Sequence, residues 1–179
     1  MKQRNQTEID KVKAQHDAEM DADIDELKAE GDWDLLQKYS DFEFIPGVLS
    51  AIQKLSSIFK RIIIVTNQQG IGKKLMTEQD LEYLHNKMLV EIEQAGGKID
   101  RIYYCPHLAS ENCICRKPSP GMIQQAIIDF PDLENENSYL VGDSDSDITA
   151  GNEMGLITVK VDNEYTLAKW CEELLSVIE

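Results

Sequence analysis

Three of the four cysteines, one of the three histidines, an adjacent Arg116-Lys117 pair and three prolines fall between Tyr103 and Met122. Cys105 and His107 are spaced as Cys-x-His, and Cys113 and Cys115 as Cys-x-Cys. Four soft or borderline donors can therefore converge from one short loop, a set that suits tetrahedral Zn²⁺. With all four positions filled by protein, none remains for water or substrate, so the metal would staple the loop and do no chemistry. A disulfide is the competing reading, but a bridge across one intervening residue is strained and leaves His107 without a role. The stapled loop would present Lys117 to a phosphate. Cys171 stands apart, on an expected helix, where it packs as a small hydrophobe.

Two further groups have positions that matter. Thr66 follows the β-branched run Ile62-Ile63-Ile64-Val65, and Gly142-Asp143 follows Tyr139-Leu140-Val141. Each has an ordinary structural explanation: Thr66-Asn67 is a common turn pair, Lys117 a solvated cation, and Gly142 to Asp147 a loop that caps the next helix. Asp143-x-Asp145-x-Asp147 also echoes the start of a calcium loop, but Ile148, Thr149 and Ala150 occupy places where that loop needs its glycine turn and further oxygens. Taken together, three strand ends aim a hydroxyl, an ammonium and a carboxylate at one crevice, and the functional reading is favoured.

The elements that must position these groups alternate. Pro46-Gly47 opens a helix with Val48, Ile52 and Leu55 on its buried side, and Arg61 to Val65 suits a strand buried on both faces. Thr66 to Gly72 reads as a turn. Thr77 and Asp80 cap a helix whose apolar face is Leu81, Leu84, Met88 and Ile92, ending at Gly96-Gly97. Strands are expected at Ile102 to Tyr104, Tyr139 to Val141 and Ile157 to Val161, with helices at Gly121 to Phe130, Asp145 to Met154 and Thr166 to Ile178. Strand and helix repeated four times predict an α/β, three-layer, Rossmann-like parallel sheet with ligands at the carboxyl ends of its strands.

Residues 1 to 38 differ from 39 to 179. The first 41 residues carry twelve acidic and six basic side chains. Met20, Ile24 and Leu27 share one helical face, which predicts a sparse, solvated acidic helix that Thr7-Glu8-Ile9-Asp10 can cap. The 179 residues carry a net charge of −15, which argues against a nucleic-acid surface. A bound phosphate must meet local cations, and Lys73, Lys74, Arg116 and Lys117 are the candidates. No apolar run suggests a membrane span and no basic start followed by an apolar block suggests a secretory signal, so a cytoplasmic protein is expected.

These residues resemble the haloacid dehalogenase superfamily of aspartate-nucleophile phosphatases, in the branch that acts on D-glycero-D-manno-heptose 1,7-bisphosphate or histidinol phosphate. The resemblance rests on Phe42 to Val48, Val65-Thr66-Asn67-Gln68, Tyr104-Cys105-Pro106-His107, Cys113-x-Cys115-Arg116-Lys117-Pro118, and Val141-Gly142-Asp143 through Asp147-x-x-x-Gly151, in that order. It implies a minimally capped, Mg²⁺-dependent phosphomonoesterase working through an aspartyl-phosphate. By position, Thr66 and Asn67 would bind phosphoryl oxygens and Lys117 would neutralise phosphate and nucleophile. Asp143 would hold Mg²⁺ with support from Asp147, and Gln68 and Arg116 would touch the rest of a small phosphorylated sugar.

The chain departs from that family in one respect. The family's opening apolar strand ending in Asp-x-Asp-Gly-Thr is not recognisable. Asp23-Ile24-Asp25 lies at about the expected separation, but it lacks the apolar run before it and the glycine after it. Asp23 and Asp25 are thus either nucleophile and general acid in a degenerate motif or the solvated face of a helix. Three readings follow: a working sugar-phosphate phosphatase, a phosphatase-like scaffold that binds without turnover, or a domain whose native start is not residues 1 to 38. Without a first strand, a central gap in the sheet would leave the neighbouring strands unpaired on one side, which predicts poor stability, or filling of the gap by the N-terminal segment or a second chain.

Overall fold

The computed structural model describes residues 42 to 178; the acidic helix expected before Gly31, together with Asp23 and Asp25, lies outside the described residues. Helix α1 (Val48–Ile58) starts from Gly47, whose φ of 86° is a left-handed conformation that glycine adopts without a Cβ penalty. Strand β1 (Ile63–Asn67) leads directly into a single helical turn, α2 (Gln69–Gly72), where the sequence suggested a turn. Helix α3 (Glu78–Gln94) opens on the expected capping box, with Thr77 and Asp80 each bonding the other's backbone amide.

Strand β2 (Arg101–Cys105) runs into the cysteine-rich loop, and α4 (Gly121–Asp129) follows that loop. Strand β3 (Tyr139–Gly142), α5 (Asp145–Glu153), β4 (Ile157–Lys160) and α6 (Leu167–Ile178) complete the order. The boundaries agree with the sequence pattern to within about two residues.

The strands form two parallel pairs, β1 with β2 and β3 with β4, and the pairs are not hydrogen-bonded to each other. They nevertheless share both hydrophobic layers. On one face, Ala51 and Leu55 of α1 and Trp170 and Cys171 of α6 form a buried cluster against which Ile62, Tyr139, Val141 and Val159 pack. On the other, Ile123 of α4, Leu140 of β3 and Ala150 of α5 are buried together, with Val65 against them. Strands from both pairs thus contribute to each cluster, which gives a three-layer α/β arrangement with a seam between β1 and β3. Cys171 is 1% exposed, packed as expected.

The backbone shows which groups face the seam. In a parallel pair, alternate residues turn both their N–H and C=O toward the partner. Ile62 O accepts from Asp100 N at 2.7 Å and Gln68 N donates to Cys105 O at 2.8 Å, so Ile62, Ile64, Thr66 and Gln68 face β2. Ile63 and Val65 face the other way. Likewise Ser138 O accepts from Ile157 N and Gly142 O from Val161 N, so Tyr139 and Val141 turn from β4 toward the seam. The run from Ile62 to Val65, expected to be buried on both faces, is only partly buried. A strand with an open edge keeps part of its surface in water.

Helix α5 lies flat on β3 and β4 because Gly151 has no side chain: a Cβ there would come within 2.6 Å of Thr158 Cγ2 and 3.2 Å of Leu140 Cβ. Gly151→Ala is expected to lift α5 from the strands and lower stability by about 1–3 kcal/mol, as overpacking does. Urea unfolding of the two proteins measures the difference.

Candidate phosphate site

The Lys117 side chain lies at the seam and is only 11% exposed. Its ammonium donates to Val65 O of β1 at 2.7 Å and reaches Asp147 Oδ1 of α5 at 2.5 Å. One cation thus ties the open edge of β1 to the helix that follows β3. Its backbone is held as firmly. The Asn67 carboxamide accepts from Lys117 N at 3.0 Å and donates to Lys117 O at 3.1 Å. Thr66 is the neighbouring residue on β1, and its Oγ1 accepts from Gln68 Nε2 at 3.1 Å. Thr66, Asn67, Gln68 and Lys117 therefore meet at the carboxyl end of β1.

Asp147 is shared. Its second oxygen accepts from Ser144 N at 3.1 Å and Ser144 Oγ at 2.8 Å, completing a capping box at the start of α5. Burial pushes this carboxyl up, but the hydrogen bonds from Lys117 and Ser144 outweigh it and hold the group below the ordinary carboxylate range. The fold-back that allows this requires Gly142, because a Cβ there would come within 2.4 Å of Asp147 Cβ. Asp143, between Gly142 and Ser144, is exposed at the same strand end. Asp145 points elsewhere, pairing with Lys160 at 2.5 Å.

The cysteine loop closes the site from the β2 side. Cys105, Cys113, Cys115 and His107 place their donor atoms within 4.8 Å of one another. Sulfur to sulfur separations run from 3.1 to 3.5 Å, and His107 Nδ1 lies 3.2 Å from Cys115 Sγ. A tetrahedral zinc with arms of about 2.3 Å has edges of roughly 3.8 Å, so this cage fits that ion after a slight expansion. None of the cysteines is disulfide-bonded. Burial raises all three thiols, but Cys113 accepts in the shared hydrogen bonds and falls to about 7, whereas Cys115 donates and rises to about 12.

Gly121 seals the loop against α4: its N donates to Ile114 O, and a Cβ would come within 2.3 Å of that oxygen. Arg116 points back into the loop, toward His107 O at 3.4 Å. Lys73 and Lys74 are exposed after α2.

The sequence pattern named most of these residues but not how they join. The grip of Asn67 on the Lys117 peptide spans 50 residues and leaves no local trace, and neither does the use of Val65 O. Ser144 was legible, since Ser-x-x-Asp is a capping pattern.

Residues 114–176 match the HAD-hydrolase-like family. The chain is 42% identical over 115 residues to the D-glycero-beta-D-manno-heptose-1,7-bisphosphate 7-phosphatase of Neisseria meningitidis, covering 63% of this chain and 61% of that protein. It is 39% identical over 127 residues to the D-glycero-alpha-D-manno-heptose-1,7-bisphosphate 7-phosphatase of Campylobacter jejuni, covering 71% and 72%. It also resembles the crystal structure of the D,D-heptose 1.7-bisphosphate phosphatase of B. bronchiseptica complexed with magnesium and phosphate, with a TM-score of 0.71, 28% identity, and coverage of 78% of this chain and 87% of that one. The chain spans about 61% of the length of the Neisseria relative that it matches.

Asp147→Asn should destabilise the fold by about 3 kcal/mol, because it leaves a largely shielded ammonium without its counter-charge. Since the carboxyl is held below its unfolded value of about 3.9, its contribution is present above that pH and is lost as pH falls through the folded value. Acid unfolding curves should therefore be flatter below about pH 5 for the variant than for the parent.

Proposed function

Because the chain belongs to the haloacid dehalogenase-like phosphatases, alongside the heptose 1,7-bisphosphate 7-phosphatases, we propose that it takes part in Mg²⁺-dependent hydrolysis of a sugar phosphate. The best substrate is D-glycero-D-manno-heptose 1,7-bisphosphate. The observation that carries this reading is the ammonium of Lys117, shielded from water and fixed between the ends of β1 and α5. A protein of net charge −15 repels a phosphate dianion everywhere except where a cation is held in place. Histidinol phosphate is the alternative substrate, but the relatives reported above act on the heptose.

In this reading Lys117 takes a phosphoryl oxygen with the hydrogen its two partners leave unused, and Thr66 donates its hydroxyl hydrogen to another. Asn67 contributes mainly by fixing Lys117 and can donate its remaining amide hydrogen. Gln68 and Arg116 stand toward the sugar, with Arg116 leaving His107 O to do so. Mg²⁺, held at Asp143 with Asp147 behind it, would neutralise charge on the phosphoryl group as it transfers. A carboxylate oxygen attacks phosphorus and the sugar oxygen leaves, taking its proton from a neighbouring acid; water then splits the acyl phosphate into inorganic phosphate and the free carboxylate. Asp23 and Asp25 are the candidates for nucleophile and acid. Zinc at Cys105, His107, Cys113 and Cys115 would brace the loop that carries Arg116 and Lys117.

The open seam between β1 and β3 favours a second reading, a phosphate-binding scaffold without turnover. Phosphate release from both anomers of the heptose bisphosphate with Mg²⁺ separates the two. Turnover that falls by at least about 10²-fold in Lys117→Met and is abolished in Asp23→Asn supports the enzyme. No turnover, with phosphate still bound by the parent and not by Lys117→Met, leaves the scaffold.

Metal analysis should find about one Zn²⁺ per chain, and a chelator should lower the melting temperature. A metal-free loop with oxidised cysteines would refute the staple.

A further inference from the structure

We propose that the outer edge of β4 and the side of α6 next to it form a binding site for a neutral, flat nitrogen heteroaromatic of purine type. A cavity of about 510 Å³ lies there, walled by Tyr139, Val159, Trp170 and Leu174 and bordered by Thr158 and Lys160. That volume is in the range of pockets that hold small molecules. Trp170 is only 7% exposed. Among the described residues nothing accepts from its indole N–H, although a buried indole usually finds a partner. Strand β4 has β3 as its one strand partner among the described residues. Ile157 N and Val161 N donate to Ser138 O and Gly142 O, so Ile157, Val159 and Val161 face β3, and Thr158 and Lys160 turn their N–H and C=O outward. The Thr158 side chain is engaged on the α5 side, donating to Asn152 Oδ1 at 2.9 Å. What Thr158 offers the cavity is therefore its backbone.

These groups specify the ligand. A strand residue that faces outward presents an N–H and a C=O side by side, and their complement is an acceptor next to a donor. An aminopurine carries that pair on one rigid plane, a ring nitrogen beside an exocyclic amino group. A further ring nitrogen is left to accept from the Trp170 indole. The flat apolar faces of such a ring suit Val159, Leu174 and the rings of Tyr139 and Trp170, whose centroids are 5.4 Å apart at a tilt of 54°. The rim disfavours an anion. Lys160 is paired with Asp145 at 2.5 Å, whereas Glu173 accepts from the Tyr165 hydroxyl at 2.5 Å, a neutral partner that leaves its charge in place. A free base or nucleoside is therefore favoured over a nucleotide, the more so on a chain of net charge −15. Strand β3 separates this edge from the seam at Lys117, so the inference does not rest on the phosphatase reading.

The test is an NMR titration of the full, isotope-labelled chain with adenosine, up to about 10 mM and without Mg²⁺. The Thr158 and Lys160 amides and the Trp170 indole N–H should shift together along one binding curve. Purine riboside keeps the ring system but lacks the amino donor, and it should bind at least about tenfold more weakly without any change to the protein. Adenosine monophosphate should also bind more weakly than adenosine. Saturating inorganic phosphate should leave the adenosine curve unchanged. Several results would overturn the proposal: no shift at these three groups, equal binding of purine riboside, or binding of adenosine monophosphate at least as tight as that of adenosine. So would shifts centred on Thr66, Asn67 and Lys117 with displacement by phosphate, or an indole N–H of Trp170 already protected from exchange in the chain alone.

Discussion

One largely shielded ammonium, together with the two apolar clusters, joins the strand pairs where backbone hydrogen bonds do not. Lys117 meets the carbonyl of Val65 on one strand pair and the carboxylate of Asp147 on the other. Removing an ammonium from water costs several kcal/mol, and the attraction of a paired carboxylate offsets this only when the geometry is good. The surroundings supply that geometry. Asn67 fixes the Lys117 backbone through two hydrogen bonds, Ser144 fixes Asp147, and Gly142 gives Asp147 room to fold back. An ammonium has three hydrogens, and two have partners. The third is the one that a phosphate oxygen would take under the proposed function.

The loop bearing Lys117 is braced at several points. A long, flexible side chain positions its charge no better than its backbone is positioned. Here the backbone is tethered to β1 through Asn67, and the loop is gathered by three thiols and an imidazole within 4.8 Å of one another. It is also pressed onto α4 where Gly121 meets Ile114 O. Zinc would add a constraint whose strength does not depend on the hydrophobic core.

Local rules made most of this legible. Proline and glycine marked the start of α1, Thr77 and Asp80 marked α3, and the β-branched runs marked the strands, because these signals act within a few residues of the place they determine. The placement of Thr66, Lys117 and Asp143 at strand ends followed from the alternation of elements, since parallel strands deliver their carboxyl ends to one side. What could not be read was the grip of Asn67 on Lys117 and the capture of Val65 O, which depend on residues 50 and 52 positions apart. The burial expected for Ile62 to Val65 was too high for the same reason. A β-branched run announces a strand suited to the middle of a sheet, but whether a neighbour sits on each side is a property of the whole fold.

The carboxylates that follow β3 define how the chemistry would be divided. Asp145 pairs with Lys160, and Asp147 is committed to Lys117 and to the cap of α5. Asp143 is exposed at the same strand end and is the carboxylate to which the proposed function assigns the cation; a carboxylate so engaged would be a poor nucleophile toward the phosphate the same cation holds. Under the proposed function the described residues would grip the phosphate, and the attacking carboxylate would be Asp23, which lies outside the described residues.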